Sequence, residues 1–335
     1  MAQWPGWARS YVVQTDLLAT LIFEEVPDEN ADFRIRHLEP RNQISGSVTF
    51  DSSELFSFKR PSLTEFRRQL DYVNTYSELR LDRSAEILSQ TGYPEHFHGV
   101  ILGLHPDRTR YTLELMAMAQ LFATGVAQRV KHALACKRPD MFSSQIQPMI
   151  PMPGHGTLPS GHATEAFTVA RVMSLLVDDR ADTDVGNGVQ DQLMHQAERI
   201  AINRTIAGVH FPADSIAGAM LGLGLGEYFV ARANGLGVGA SRGKNRNAGQ
   251  AYTKTIRNRV KPARFDGTNI SSLDFRMRDL FRSGERQSLD NESSVPVVEL
   301  LEAVEVSERS MSRPLRWLWE RAKEEWPART ASDMW

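Results

Sequence analysis

The residues best suited to chemistry are cationic side chains, histidines and a carboxylate, spread over three short stretches of the chain. They are Lys131 and Arg138, then Ser160, Gly161 and His162, then Arg204, His210 and Asp214. Cationic side chains and the free N–H groups at a helix start can hold the oxygens of a tetrahedral, multiply charged oxyanion. Imidazoles beside them can give or take a proton. The residue types therefore indicate an oxyanion site with acid–base chemistry.

The central stretch, residues 151–162, changes from loop to helix. Three prolines and two glycines discourage regular structure before Ser160, and an apolar helical pattern begins at Ala163. A helix that starts at Ser160 leaves backbone N–H groups unpaired, with the positive end of the helix dipole behind them. Gly161 lets a ligand approach closely, and His162 lies in the first turn. For this stretch alone, an N-capped helix after a proline-rich loop is the ordinary alternative.

The upstream stretch is predicted to end a long helix. The pattern from 108 to 137 is helical, and Lys131 and Arg138 are seven residues apart, which is two turns on one face. Pro139 favours the end of the helix at this point. We expect both cations to project from the same face.

The downstream stretch is predicted to join two helices. A helix that carries Arg204 should end near Gly208, and a new one should begin at Pro212, which suits a first helical position. His210 then lies in the turn. Asp214, in the first turn, can reach one nitrogen of its imidazole.

Together the three stretches resemble the signature of the superfamily shared by vanadium-dependent haloperoxidases, type 2 phosphatidic acid phosphatases and bacterial non-specific acid phosphatases. That signature is Lys, six residues, Arg-Pro, then Pro-Ser-Gly-His, then Ser-Arg, five residues, His, three residues, Asp. Residues 131–214 match it in order and spacing, except that Asn203 stands in place of the serine. Three linked motifs are a far stronger indication than any one alone.

The resemblance implies a soluble, vanadate-dependent haloperoxidase that oxidises bromide or iodide with hydrogen peroxide to hypohalous acid. In that interpretation His210 is the single protein ligand of vanadium, and phosphate can occupy the same site. His162 helps to remove protons from the peroxide, and Lys131 polarises it. The residues that bind the vanadate oxygens are Lys131, Arg138, Ser160, Gly161 and Arg204.

Two alternatives stay open. In a soluble, metal-independent acid phosphatase, His210 attacks phosphorus and becomes a phosphohistidine. Asp214 fixes its tautomer, and His162 protonates the leaving alcohol. A non-catalytic oxyanion-binding protein is the second alternative, although a mere binder needs no aligned acid–base pair.

His155, five residues before Ser160, is a further catalytic candidate. The chain resembles bromoperoxidases there, because they carry a histidine at this place. A loop histidine between two glycines is the competing interpretation. Gln128 stands where fungal chloroperoxidases have tryptophan, which favours bromide or iodide over chloride.

Composition limits the remaining choices. The chain of 335 residues has 41% hydrophobic residues, a formal net charge of −2 and one cysteine, Cys136, as in an ordinary globular protein without an intrachain disulfide. The basic stretch 242–264 is interpreted as a solvated loop or a contact with a partner subunit rather than a nucleic-acid site. With no signal peptide and no apolar run of about 18 residues, we expect a cytoplasmic or otherwise soluble protein, without membrane contact and forming a homodimer.

The patterns from residue 62 onward predict an all-α fold, a helical bundle of the haloperoxidase and acid phosphatase type with the anion site at one end. Residues 1–61 are predicted to be an irregular N-terminal arm packed on the body. Residues 62–335 should form the catalytic domain, with core motifs at 131–214. A tail from about 250 shows helical patterns at 273–281, 295–306 and 315–322.

Overall fold

The computed structural model describes residues 1–26, 31–40, 49–92, 95–178, 185–234, 242–244, 251–253, 258–291 and 295–326. Its helices are α1 (Gly6–Leu18), α2 (Leu63–Tyr76), α3 (Arg80–Ser89), α4 (Glu95–Leu102), α5 (Arg110–Leu134), α6 (Gly161–Asp178), α7 (Val185–Ile206), α8 (Pro212–Asn234) and α9 (Arg313–Glu324). Its strands are β1 (Leu21–Glu25), β2 (Phe33–Pro40), β3 (Phe50–Lys59), β4 (Arg242–Lys244), β5 (Ala251–Thr253), β6 (Arg259–Val260), β7 (Ala263–Asp266), β8 (Phe281–Arg282), β9 (Glu285–Arg286), β10 (Val298–Leu300) and β11 (Val304–Glu305). Within the basic stretch, residues 245–250 and 254–257 lie outside the described residues.

Helix α6 lies at the centre of the helical body, packed against α5, α7 and α8. Helix α8 is buried along nearly its whole length, as expected of a helix that is apolar on every face. Two of its glycines permit a close approach to the start of α6. A Cβ at Gly218 would lie 2.8 Å from the Ala163 Cβ, and one at Gly222 would lie 2.5 Å from the Thr164 carbonyl oxygen. Among the described helices, none is both long and apolar enough to cross a membrane.

The prediction of an all-α fold is wrong, because a five-stranded mixed sheet flanks the helices. Its order is β1-β2-β3-β7-β10, with β3 and β7 parallel and the other neighbours antiparallel. Residues 1–61 are therefore no irregular arm: they supply α1 and three of these strands. Phe56 on β3 pairs with Ala263 on β7, about 200 residues further along the chain. Such long-range pairing leaves only a weak local signal, because strand preference depends on tertiary context.

The C-terminal tail also differs from its prediction. Residues 295–306, predicted to be helical, hold β10 and β11, whereas the pattern at 315–322 does fall within α9. After α9, the Glu325 carboxylate accepts hydrogen bonds at 2.8 Å from the backbone N–H groups of Tyr111 and Thr112. These are unpaired donors in the first turn of α5, so the tail fastens the helix that delivers Lys131.

Helix α5 ends earlier than predicted. Ala135 adopts a left-handed conformation, with φ of 47°, and its N–H donates to the Lys131 carbonyl. This is a common way to end a helix. Arg138 is extended before Pro139, as the residue before a proline prefers. It therefore does not share a helical face with Lys131, although both reach the same site.

Candidate active site

The site lies where the starts of α6 and α8 meet the ends of α3 and α5. The Ser160 N–H donates to the Asp214 carbonyl at 2.8 Å, which ties the two helix starts together. A Cβ at Gly161 would lie 3.8 Å from Lys131 Cε, so the end of α5 reaches the same place. The predicted residues brought to this junction are Lys131, Arg138, His155, Ser160, Gly161, His162, Arg204, His210 and Asp214. Their chemical roles stay predictions.

His210 is held from one side by a carboxylate. Its Nδ1 lies 2.9 Å from Asp214 Oδ2, which also accepts from the Phe211 N–H at 2.9 Å. A carboxylate can only accept, so Nδ1 carries the hydrogen and Nε2 keeps the lone pair. Nε2 lies 3.4 Å from Arg138 Nη1. Burial, followed by the charges of Lys131 and Arg138, holds the pKa of His210 well below its usual range, so the ring is neutral near pH 7.

Thr157 completes this support, and the sequence analysis missed it. Its buried hydroxyl donates to Asp214 Oδ2 and lies 3.1 Å from His210 Nδ1. The only available signal was a hydroxyl residue in the loop before Ser160. No spacing rule connects that position with the downstream histidine.

The cationic groups lie in a nearly closed space. Lys131 is 1% exposed, and its Nζ donates to the Gly156 and Thr157 carbonyls at 3.0 and 2.9 Å. Arg138 donates to the Val209 carbonyl at 2.6 Å. Burial, then the charge of Arg138, lowers the pKa of Lys131 to about 7. Burial also raises the pKa of Asp214 to about 6. Lys131, Arg138 and Arg204, gathered around the His210–Asp214 pair, give the site the charge to bind an anion.

The other side of the site is built on α3. His162 Nε2 donates to the Gln90 carbonyl at 2.7 Å, and Arg204 Nη1 donates to the same oxygen at 3.3 Å. Burial, followed by the charge of Arg204, lowers the pKa of His162 to about 4. Burial alone lowers the pKa of Arg204 to about 10. Within the described residues, Arg204 Nε is buried without a hydrogen-bond partner, so the guanidinium keeps one donor for a ligand.

His155 lies at the rim of the site, on Arg138. Its carbonyl accepts from Arg138 Nε at 3.0 Å, and its ring Nδ1 lies 3.3 Å from Arg138 Nη2. Burial, followed by the charge of Lys131, lowers the pKa of His155. The lowered pKa favours the neutral form of the ring.

Asn203, the departure from the signature, faces α3. Its Nδ2 donates to Glu86 Oε1 and to Gln90 Oε1, both at 2.9 Å. Asn203 therefore contacts α3 and its end. The replacement of serine by asparagine leaves every cation and histidine of the signature in place. Among the described residues, no group of three or more His, Cys, Asp or Glu side chains is arranged to hold a metal ion.

One family model matches the part of the chain that carries the motifs. Residues 111–234 match the family model described as the PAP2 superfamily. No curated protein matches the chain. Among solved structures, a similar chain is that of a transmembrane PAP2 type phosphatidylglycerolphosphate phosphatase from Bacillus subtilis. It is 19% identical, the match covers 49% of this chain and 83% of that chain, and the TM-score is 0.40. These comparisons give no support for the narrower assignment to a haloperoxidase branch; they show that residues 111–234 match the PAP2 superfamily model.

Proposed function

We propose that the protein is a phosphoric monoester hydrolase whose nucleophile is His210. The observation that carries this proposal is the orientation of the His210 ring, with Nδ1 held by Asp214 and Nε2 directed toward Arg138. The PAP2 superfamily match favours a phosphatase-type hydrolase over the haloperoxidase that the sequence first indicated. The proposal is thus the acid phosphatase alternative of the sequence analysis.

Substrate binding is the task of the cations. A phosphoryl group carries three non-bridging oxygens, and charge spreads over them as the transferred group loosens. Lys131, Arg138 and Arg204 neutralise that charge, and the N–H groups at the start of α6 add uncharged donors. The bound dianion in turn raises the pKa values of Lys131 and His162, because opposite charge stabilises their protonated forms.

In the first chemical step, His210 Nε2 attacks phosphorus. An N–P bond forms while the ester P–O bond breaks, and the leaving alcohol oxygen takes a proton from His162. The imidazole of His210 becomes cationic, and Asp214 stabilises that charge through Nδ1.

In the second step, the roles of the acid and the base reverse. Neutral His162 takes a proton from water as the water oxygen attacks phosphorus, and the N–P bond breaks. Inorganic phosphate leaves, and both histidines return to their starting states. The products are one alcohol and one phosphate for each ester hydrolysed, and no oxidant or reductant is needed.

The test uses full-length protein stripped with a chelator and freed of phosphate. We expect hydrolysis of para-nitrophenyl phosphate without added metal, inhibition by vanadate, and loss of activity in His210→Ala. His195→Ala is the matched control, because His195 is an exposed histidine whose ring contacts Glu198, outside the site. Turnover by His210→Ala at the wild-type rate, or no hydrolysis by the wild type, would reject the proposal.

A vanadate-dependent haloperoxidase is the second candidate, and the position of His155 on Arg138 favours it. The residues fit vanadate, because His210 Nε2 keeps a lone pair and Arg204 Nε keeps a donor. His210 would bind the vanadium. The vanadate oxygens would be bound by Lys131, Arg138, Ser160, Gly161 and Arg204. When bound, vanadate supplies the Lewis acidity that activates hydrogen peroxide toward halide.

The same stripped preparation separates the candidates. Bromination with hydrogen peroxide is assayed with and without added vanadate. Vanadate should restore a haloperoxidase, inhibit a phosphatase and do nothing catalytic for an oxyanion-binding protein. In a haloperoxidase, His155→Ala should lower bromination more than ester hydrolysis, whereas equal losses would assign His155 a structural role.

A further inference from the structure

The end of α3 presents main-chain carbonyls to the site. Gln90 follows α3 and is fully buried, and its carbonyl accepts from His162 Nε2 at 2.7 Å and Arg204 Nη1 at 3.3 Å. Arg204 Nη2 also donates to the Ile87 carbonyl at 3.3 Å. The last carbonyls of a helix have no partner inside it and carry the negative end of its dipole. They hold Arg204 and His162 through uncharged acceptors, whereas the carboxylate of Glu86 contacts Gln90 and Asn203 and acts on Arg204 through its charge.

The Gln90 side chain adds a second set of contacts. Its Oε1 accepts from Asn203 Nδ2 at 2.9 Å and from Arg204 Nη2 at 3.2 Å. Its Nε2 donates to Glu86 Oε1 at 3.1 Å. The carboxylate of Glu86 can only accept, and the other two partners can only donate at these atoms. One orientation of the amide therefore satisfies all three contacts.

We propose that Gln90 is a positioning residue for His162 and Arg204, an inference that rests on the hydrolase function proposed above. Because a carbonyl can only accept, the main chain of Gln90 keeps the hydrogen of neutral His162 on Nε2. The proton exchanged with substrate then belongs to Nδ1. The side-chain oxygen of Gln90 aims Arg204 at the anion. Asn203, which replaces the serine of the signature, is the donor that orients this glutamine.

Glutamate or methionine at position 90 could not make the side-chain contacts that Gln90 makes with Glu86, Asn203 and Arg204. A glutamate would place a negative charge beside Arg204 and a second carboxylate beside Glu86. A methionine of similar length would leave Arg204 Nη2 with one acceptor fewer and Asn203 with one buried donor contact fewer. Losing a hydrogen bond to a charged group weakens the arrangement that holds it.

The test measures the affinity of full-length protein for inorganic phosphate by titration calorimetry. We expect phosphate to bind Gln90→Met about tenfold more weakly than wild type. The matched control is Gln14→Met, because the Gln14 amide donates to the Met118 carbonyl on α5, outside the site. Denaturant unfolding of both variants separates lost stability from lost affinity. A less stable Gln90→Met that binds phosphate as tightly as wild type would overturn the role assigned to this side chain.

Asn203→Ser provides an independent variant, and it replaces the first one if Gln90→Met does not fold. We expect weaker phosphate binding by Asn203→Ser, with a smaller loss than for Gln90→Met. The double variant should bind no more weakly than Gln90→Met alone, because the pair acts as a unit. Losses that multiply, or wild-type affinity in Asn203→Ser, would contradict the pairing.

Nitrogen-15 NMR of histidine-labelled protein tests the main-chain contact separately. Comparison with His162→Gln assigns the His162 signals. We expect neutral His162 to carry its hydrogen on Nε2, and a hydrogen on Nδ1 would overturn this part of the proposal. If wild-type protein bound no phosphate, the hydrolase function and the role of Arg204 would both fail. The tautomer of His162 would still be decided by its spectrum.

Discussion

The two histidines of the site are supported in opposite ways. His210 is held by a buried carboxylate, Asp214, and by the hydroxyl of Thr157. His162 is held by the carbonyl of Gln90 at the end of α3. A carboxylate stabilises positive charge on the ring it contacts, as a nucleophile that acquires a phosphoryl group requires. A neutral carbonyl fixes orientation with little charge stabilisation, so the His162 ring is neutral until bound substrate raises its pKa.

Among the variants considered, removal of the Asp214 carboxylate should have the largest effect on activity. We expect Asp214→Asn to lower kcat for para-nitrophenyl phosphate about 10³-fold, because an amide can hold the wrong tautomer and cannot stabilise the cationic ring. Asp71→Asn, an exposed change on α2, is the control. A loss of less than tenfold in Asp214→Asn would mean that His210 does not depend on its carboxylate.

The contribution of His162 should depend on the leaving group. For an alkyl phosphate, whose alcohol leaves only when protonated, His162→Ala should lower kcat/KM about 10²-fold, because this ratio excludes the second step that both substrates share. For para-nitrophenyl phosphate the loss should be smaller, since nitrophenolate leaves without a proton. His210→Ala should lower both rates alike. Equal losses for the two substrates in His162→Ala would show that it is not the general acid.

The pH dependence of kcat/KM should report the ionisation of Lys131 and Asp214. Lys131 is cationic below its pKa of about 7, and Asp214 is anionic above its pKa of about 6. For para-nitrophenyl phosphate, whose nitrophenolate leaves without a proton from His162, kcat/KM should therefore be highest between these pH values and fall about tenfold per pH unit on either side. The alkaline limb of kcat should lie at higher pH, because bound dianion raises the pKa of Lys131. In Lys131→Arg the alkaline limb of kcat/KM should move upward, and an unmoved limb would assign it to another group.

The smallest effect is expected at Thr157. Thr157→Val keeps the shape of the side chain but removes one donor to Asp214 Oδ2, while the Phe211 N–H and His210 remain. We expect kcat to fall about tenfold, with a loss of about 2 kcal/mol in the free energy of unfolding. Thr75→Val on α2, where the exposed hydroxyl donates to the Asp71 carbonyl, serves as the control. An unchanged kcat in Thr157→Val would mean that the Thr157 hydroxyl is not needed to position Asp214 and His210.

The convergence of the site residues was predictable because the three motifs have characteristic residue types and fixed spacing. Lys131, Arg204 and His210 converge as the three motifs indicated. Helix α2 also begins at a local signal, because the Ser62 side chain accepts from the Glu65 N–H as a helix-capping residue should. These features depend on neighbours in sequence or on a motif read as a unit.

The remaining features depend on contacts that sequence patterns do not carry. The sheet joins β3 to β7 across about 200 residues, so neither strand stands out alone. Thr157 and Gln90 act through hydrogen bonds to residues over 50 positions away. Gln90 in addition uses its main-chain carbonyl, which every residue type possesses. The end of α5 was missed because Ala135 has no intrinsic preference for the left-handed conformation that stops the helix there.

The central claim, that His210 forms a bond to phosphorus, is tested most directly by rapid quenching in alkali, where phosphohistidine survives. Full-length protein is mixed with phosphorus-32-labelled substrate, quenched within one turnover, digested and analysed by mass spectrometry. The account predicts labelled phosphate on His210 of the wild type, none in His210→Ala, and more in His162→Ala with para-nitrophenyl phosphate, where the second step lacks its base. Label on another residue, or a pre-steady-state release of nitrophenol with no labelled peptide, would contradict it.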